Sequence, residues 1–255
     1  MTVSTEIGQT TATTITVRGL DLSHDILGKL GFVEAFVLCA FGRRPSPQEA
    51  EMLNALLVLA LDHGLTPSSI AARLTCLGAP DAMQGAVAAG LLGAGSRYLG
   101  PATLVSEQLT AWARGMSGDE PEEAYARLAA DVLSRPSRGR IFGFGHPIHK
   151  EADPRVAPLR EIARRTGFHR AAWRLLDALA DRLKLRSLPL NASGALGATI
   201  VDMQLPPAFA SGLALVGRCA GLVAHLLEEQ HSPTGQEIWE LVLRQDPRND
   251  LGQDR

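Results

Sequence analysis

The chain is short of several things that would have pointed elsewhere. Its three cysteines, Cys39, Cys76 and Cys219, each stand alone among apolar neighbours without a CxxC spacing. That pattern argues against a disulfide framework or a Cys/His metal cluster, and it predicts buried free thiols in a reducing cytoplasm. Aromatic residues are 5% of the chain while hydrophobic residues are 45%. The core must then be built from Leu, Ala and Val, which suits close-packed helices better than an aromatic-rich sheet. Lysine occurs only at Lys29, Lys150 and Lys184, the net charge is −2, and no basic stripe appears. Nucleic acid is therefore not an expected partner. No basic leader followed by an apolar stretch is seen, and polar or charged residues interrupt every long apolar run, so neither secretion nor membrane insertion is indicated. Walker-type loops, GxSxG elbows and HExxH sequences are also missing.

What is present is helical punctuation. A length of 255 residues suits one large domain, or one large and one small. Residues 1–15, rich in Thr and Ser and without helical period, predict a weakly ordered arm, and residues 241–255 predict a polar tail. Between them, Ser23 or Asp25 is placed to cap a short turn. Phe32–Phe41 predicts an apolar helix stopped by Gly42. Ser46-Pro47 and Thr66-Pro67 read as N-caps followed by first-turn prolines, opening helices over 47–60 and from 67 towards Cys76. Further helices are predicted near 82–95, 102–115, 122–134, 155–166, 169–184, 193–203, from Pro207 to Glu229, and briefly after Gln236. Strands are nearly absent. The expectation is an all-α protein of ten or more helices.

The chemistry concentrates in the loop Ile141-Phe-Gly-Phe-Gly-His-Pro-Ile-His-Lys-Glu-Ala-Asp-Pro-Arg155. Gly143 and Gly145 let the backbone lie close against a ligand. Pro147 restrains His146 to extended values, and Arg155 offers a planar fork for a carboxylate or phosphate. His63, in Asp62-His-Gly64 at a helix end, has two readings. It either donates to a substrate oxygen or complements the dipole of the preceding helix. Arg218 places a charge inside an apolar helix, which is costly unless an acid such as Asp202 or Glu229, or a ligand, pairs with it. Arg97 completes a set of two histidines and three arginines suited to a polycarboxylate, with arginines clamping carboxylates and histidines polarising a carbonyl. His225, two turns beyond Arg218, reads as a packed core histidine. Ser193 has no base beside it in sequence, which leaves helix capping as its role.

Taken in order, Gly28–Glu34, Asp62-His63-Gly64, Ser96-Arg97-Tyr98, Gly143-Phe-Gly-His146, Asp153-Pro-Arg155, Asn191 to Asp202 and Gly217-Arg218 resemble the citrate synthase superfamily over roughly Val17 to Trp239. The likeness is in particular to its short citryl-CoA lyase-type members and to the citrate-synthase-like end of ATP-citrate lyase. It implies a helical fold over 16–240, with a small subdomain at roughly 141–205, dimerising through a helix bundle. His63 and His146 would match the catalytic histidines, and Arg155, Arg218 and Arg97 carboxylate-binding arginines. Gly143, Phe144, Gly145 and Lys150 would lie where the family binds coenzyme A. No bound cofactor or metal is implied; the CoA thioester and a di- or tricarboxylic or oxo acid are substrates.

Two positions depart from the family pattern. Ser193 stands where an aspartate shuttles the acetyl α-proton, and Gln236 stands at an arginine position. The resemblance thus implies citryl-CoA cleavage or the reverse condensation, with thioester hydrolysis or a non-catalytic CoA- and carboxylate-binding sensor as alternatives.

Overall fold

The computed structural model describes residues 3–135, 139–184 and 187–249. Eleven α-helices carry the architecture among these residues: α1 (Phe32–Phe41), α2 (Pro47–Ala60), α3 (Pro67–Gly78), α4 (Met83–Ala94), α5 (Pro101–Trp112), α6 (Glu122–Ser134), α7 (Val156–Thr166), α8 (Ala171–Lys184), α9 (Ala192–Asp202), α10 (Pro207–Glu229) and α11 (Thr234–Gln245). Their starts follow the expected chemistry. Ser46 accepts from the Glu49 amide while Glu49 reaches back to the Ser46 amide, and Thr66 pairs with Ser69 in the same reciprocal way. Gly42 ends α1 at φ 70°, where a side chain would be strained.

The N-terminus differs from the expected loose arm. Three short strands, β1 (Gly8–Thr10), β2 (Ile15–Val17) and β3 (Leu20–Asp21), form an antiparallel sheet in the order β1-β2-β3. Arg18 fastens it to the body. Its guanidinium donates to the carbonyls of Cys39 (3.0 Å) and Ala40 (3.3 Å), at the electronegative end of α1. Asp21, rather than Ser23 or Asp25, caps the turn that follows, accepting from the Ser23 and His24 amides. At the other end, α11 runs to Gln245, so the expected polar tail begins inside a helix; residues 250–255 lie outside the described residues. The three cysteines are free thiols but only half-buried, not core residues.

One continuous core joins Met52, Leu53 and Leu56 of α2 with Leu109 of α5, Trp173 and Leu176 of α8, Ile200 of α9 and Leu213 of α10. A smaller cluster holds Ala72 of α3, Ala86 of α4, and Leu222 and Leu226 of α10. By length and a mean hydropathy of 1.5, α10 passes as a candidate bilayer span. Here it packs against α2, α3, α4, α5 and α9.

Close crossings depend on glycine. A Cβ at Gly221 would stand 1.8 Å from the Leu61 carbonyl oxygen, and one at Gly217 would stand 2.5 Å from that of Leu57. These two positions let the backbone of α10 touch the end of α2, which brings Arg218 beside Asp62 and His63.

Asp202 ties α8 to α9. It accepts from the amides of Arg170 (2.8 Å), Ala172 (2.8 Å) and Trp173 (3.0 Å), the unpaired donors that open α8. Burial pushes its carboxyl upward, opposed by those three amides. Asp202→Ala strands three donors in the core and is expected to lower stability by about 2 kcal/mol. Asp202→Asn, which keeps one acceptor oxygen, should lose less; denaturant unfolding of both variants measures the difference.

Candidate active site

The loop after α6 is pinned to the start of α9. Asn191 donates from its amide nitrogen to the Gly143 carbonyl (3.0 Å) and from its side chain to the Gly145 carbonyl (2.7 Å), while the Gly145 amide donates to the Pro189 carbonyl (2.7 Å). Gly143 needs its glycine twice. Its φ is 86°, and a Cβ there would stand 2.7 Å from the Gly194 Cα. Asn191 also caps α9 by accepting from the Gly194 amide (3.0 Å). His146 and position 193 are thus fixed by the same short stretch of pairing.

Directly after this pairing the chain turns sharply. The amides of Ile148 (3.2 Å) and His149 (3.0 Å) both donate to His146 Nδ1. With that lone pair occupied, the neutral His146 ring carries its hydrogen on Nε2, making it a donor towards the site. The turn also stacks His149 on His146, with ring centroids 4.5 Å apart. His63, from the α2–α3 loop, closes the group, its Nε2 lying 3.2 Å from His149 Nε2. Burial, followed by the charge of Arg155 and the nearby His149 and Arg218, holds His63 below the usual imidazole range. Burial and His149 do the same to His146. Both shifts favour the neutral form, in which His146 donates to an oxygen through Nε2 without a permanent charge.

Two arginines border the imidazoles. Arg155 sits over Asp153, donating from Nε (2.9 Å) and Nη2 (2.8 Å), while the Arg155 and Ala192 amides fill the remaining positions on that carboxylate. Against the cost of burial, these contacts bring Asp153 down to about 2. Because the folded value lies below the unfolded one, the stabilisation is present above about pH 4 and is lost as pH falls towards 2. It should amount to roughly 2 kcal/mol. Comparing the pH dependence of unfolding in the wild type and in Asp153→Asn measures it, since the variant lacks that slope.

Arg218 is the less satisfied of the two. It is 7% exposed, and its Nε and Nη1 are buried with no hydrogen-bond partner among the described residues. Neither acid expected from sequence reaches it. Asp202 caps α8, and Glu229 pairs with Arg73. The nearest carboxylate is Asp62, at 3.7 Å from Nη1. Burial lowers the Arg218 pKa, Asp62 opposes, and Arg155 adds to the lowering. A buried, incompletely paired guanidinium near His63 is what an anionic ligand would complete.

Behind this front runs a chain of contacts that sequence reading missed. Arg73, 1% exposed, pairs with Glu228 and Glu229 and donates to His225 Nδ1 (2.8 Å). His225 is thereby fixed as an Nε2–H donor to Asp62 Oδ1 (2.8 Å), and Asp62 accepts from the Gly64 amide (2.8 Å). So His225 is a half-buried link that steadies the Asp62–Gly64 loop, not a packed core histidine. Its seven-residue spacing from Arg218, two turns on the same helix face, was the available signal.

Among the described residues, no hydrogen bond joins the side chains of the other expected residues to the three imidazoles. Lys150 is exposed and donates to the His146 carbonyl (3.1 Å). Arg97 lies on the exposed π-helical turn Gly95–Leu99, and Gln236 donates to Glu240 (2.8 Å) along its own helix. Ser193 lies half-buried on the first turn of α9. The His63/His146/His149 nitrogens fall within 4.8 Å of one another, a spacing that also suits a metal ion. Two features disfavour one. The His146 Nδ1 is occupied by amides, and Arg155 and Arg218 place positive charge beside the site.

A helical fold that gathers three imidazoles with two arginines nearby defines a helical protein with a histidine- and arginine-lined site. More particularly, the chain belongs to the citrate synthase family: the family model for the citrate synthase C-terminal domain matches residues 9–240. It is 30% identical over 210 residues to Citrate synthase 2 of Bacillus subtilis (strain 168), covering 78% of this chain and 52% of that protein. It is 27% identical over 239 residues to Probable ATP-citrate synthase subunit 1 of Neurospora crassa, covering 85% of this chain and 34% of that one. Among solved structures, citryl-CoA lyase from Hydrogenobacter thermophilus matches with a TM-score of 0.80 at 28% identity, over 99% of this chain and 96% of that one. The chain thus spans about half the length of the curated Bacillus citrate synthase, 52%.

Proposed function

We propose that the protein makes or breaks a C–C bond α to a CoA thioester, in the manner of citryl-CoA cleavage to acetyl-CoA and oxaloacetate or the reverse condensation. The observation that carries this reading is Arg218, whose buried Nε and Nη1 lack a partner beside the histidine cluster. A substrate carboxylate supplies the missing acceptor, with Arg155 as a second cationic anchor. His146, as an Nε2–H donor, faces the carbonyl oxygen of an oxo acid or the hydroxyl it becomes, and His63 serves the thioester side. Gly143, Phe144, Gly145 and Lys150 are assigned to the CoA moiety on family resemblance. Arg97 and Gln236 are assigned to carboxylate binding on family resemblance alone. A homodimer or higher homo-oligomer is proposed on family resemblance alone.

Ser193 favours a second reading, a protein that binds CoA esters and carboxylates without turnover. A serine hydroxyl does not act as a carboxylate base at neutral pH, and loss of a positioned acid–base group costs about 10²–10⁴ in rate. Assays of citryl-CoA cleavage and of acetyl-CoA with oxaloacetate, run beside calorimetry against CoA and citrate, separate the two. Turnover by the native chain establishes the enzyme. Binding without turnover, with activity gained only in Ser193→Asp, establishes the binder.

A further inference from the structure

We infer that His149, paired through Nε2 with His63, is the acid–base residue of the site and takes the place of the carboxylate that Ser193 cannot supply. This rests on the reading that a CoA thioester with an acid partner occupies the site. The two Nε2 atoms are 3.2 Å apart, close enough for one ring to donate and the other to accept. The amide of His149 donates to His146 Nδ1, and the two rings stack at 4.5 Å, so His149 is held in place by the same turn that fixes the carbonyl-facing donor.

The alternatives around it are occupied. Asp153 accepts from three Arg155 groups and the Ala192 amide, and is held down to about 2. Asp62 is bonded to His225 and the Gly64 amide and faces Arg218. His146 has its only lone pair filled by amides. With His149 Nε2–H donating to His63 Nε2, the lone pair on His149 Nδ1 has no hydrogen-bond partner among the described residues and is the remaining base among these groups.

The proton balance closes without another reactant. In cleavage, the imidazole lone pair takes the hydroxyl proton of the citryl ester. The O–H electrons form the ketone C=O, the C–C pair leaves as the thioester enolate, and the same proton returns to the enolate carbon. In condensation, the imidazole removes an α-proton from the acetyl methyl, the enolate carbon bonds the ketone carbon, and the alkoxide collects the proton.

The test reads α-proton transfer apart from full turnover, as deuterium uptake from D2O into the methyl group of acetyl-CoA with malate filling the acid site, followed by mass spectrometry. The native chain is expected to exchange. His149→Gln should exchange about 10²–10⁴-fold more slowly with unchanged acetyl-CoA binding by calorimetry, and His149→Gln/Ser193→Asp should recover exchange. A misfolded loop would not be rescued by a carboxylate on α9. The inference is overturned if the native chain does not exchange, if His149→Gln exchanges at the native rate, or if the carboxylate restores nothing. Citryl-CoA turnover, measured in parallel, reads the broader proposal separately. Turnover that His149→Gln leaves intact removes only the role of His149, and His149-dependent exchange without turnover removes only the lyase reading.

Discussion

Replacing Arg218 with methionine is expected to make the ligand-free protein more stable while abolishing its capacity to hold a carboxylate. The two effects share one cause. The guanidinium is 7% exposed, with Nε and Nη1 unpartnered among the described residues, and an unsatisfied buried polar group costs about 1–3 kcal/mol, more when charged. Methionine keeps the apolar stem without the charge, so unfolding in denaturant should shift upward by about that amount. Removing one side of a buried charged contact to a ligand costs about 2–5 kcal/mol, which corresponds to a loss of roughly 30- to 5,000-fold in Kd for citrate. Native protein should be stabilised by added citrate and the variant should not. A variant less stable than the native chain in the absence of ligand would show that Arg218 is satisfied within the fold, and the argument from its unfilled valences would fail.

Gly221→Ala should produce the largest loss of stability of any conservative change in α10. The added methyl would stand 1.8 Å from the Leu61 carbonyl oxygen, which belongs to backbone and has no rotamer to move away. Relief requires α10 to withdraw from α2, and a cost of about 3 kcal/mol or more is expected, at the upper end for overpacking. Leu61 immediately precedes Asp62 and His63, so the same displacement separates His225 from Asp62 and Arg218 from the histidines. Gly212→Ala on the same helix supplies the contrast. Nothing lies within 4 Å of its Cβ position, and alanine there should stabilise by up to about 1 kcal/mol through helix propensity. Thermal unfolding of both variants tests the pair, and equal effects would remove the crossing argument.

The helices were legible in the sequence because their ends carry local chemistry. Ser46-Pro47 with Glu49, Thr66-Pro67, Pro207 and the αL glycine at 42 each state a boundary within a few residues. The N-terminal sheet was not, since its strands are two or three residues long and exposed or half-buried, leaving no alternation to detect. The site was legible where a motif is contiguous: the Gly143–His146 and Asp153–Arg155 segments do lie together. It was illegible where partners are remote. His63 meets His149 across 86 residues, and Arg73 meets His225 across 152. The partner of Arg218 was misassigned to Asp202 or Glu229 because helix periodicity gives the face a residue occupies but not which loop comes to rest against it.

The pairing of Gly143 and Gly145 with Asn191 has a mechanical consequence. His146 and position 193 belong to separate elements, yet the Asn191 backbone amide on the Gly143 carbonyl (3.0 Å) and the Asn191 side chain on the Gly145 carbonyl (2.7 Å) register them like two teeth of one gear. None of those contacts uses the side chain at 193. That side chain can therefore be exchanged without changing the registration of the histidine, and a carboxylate introduced there should leave the loop aligned as it was.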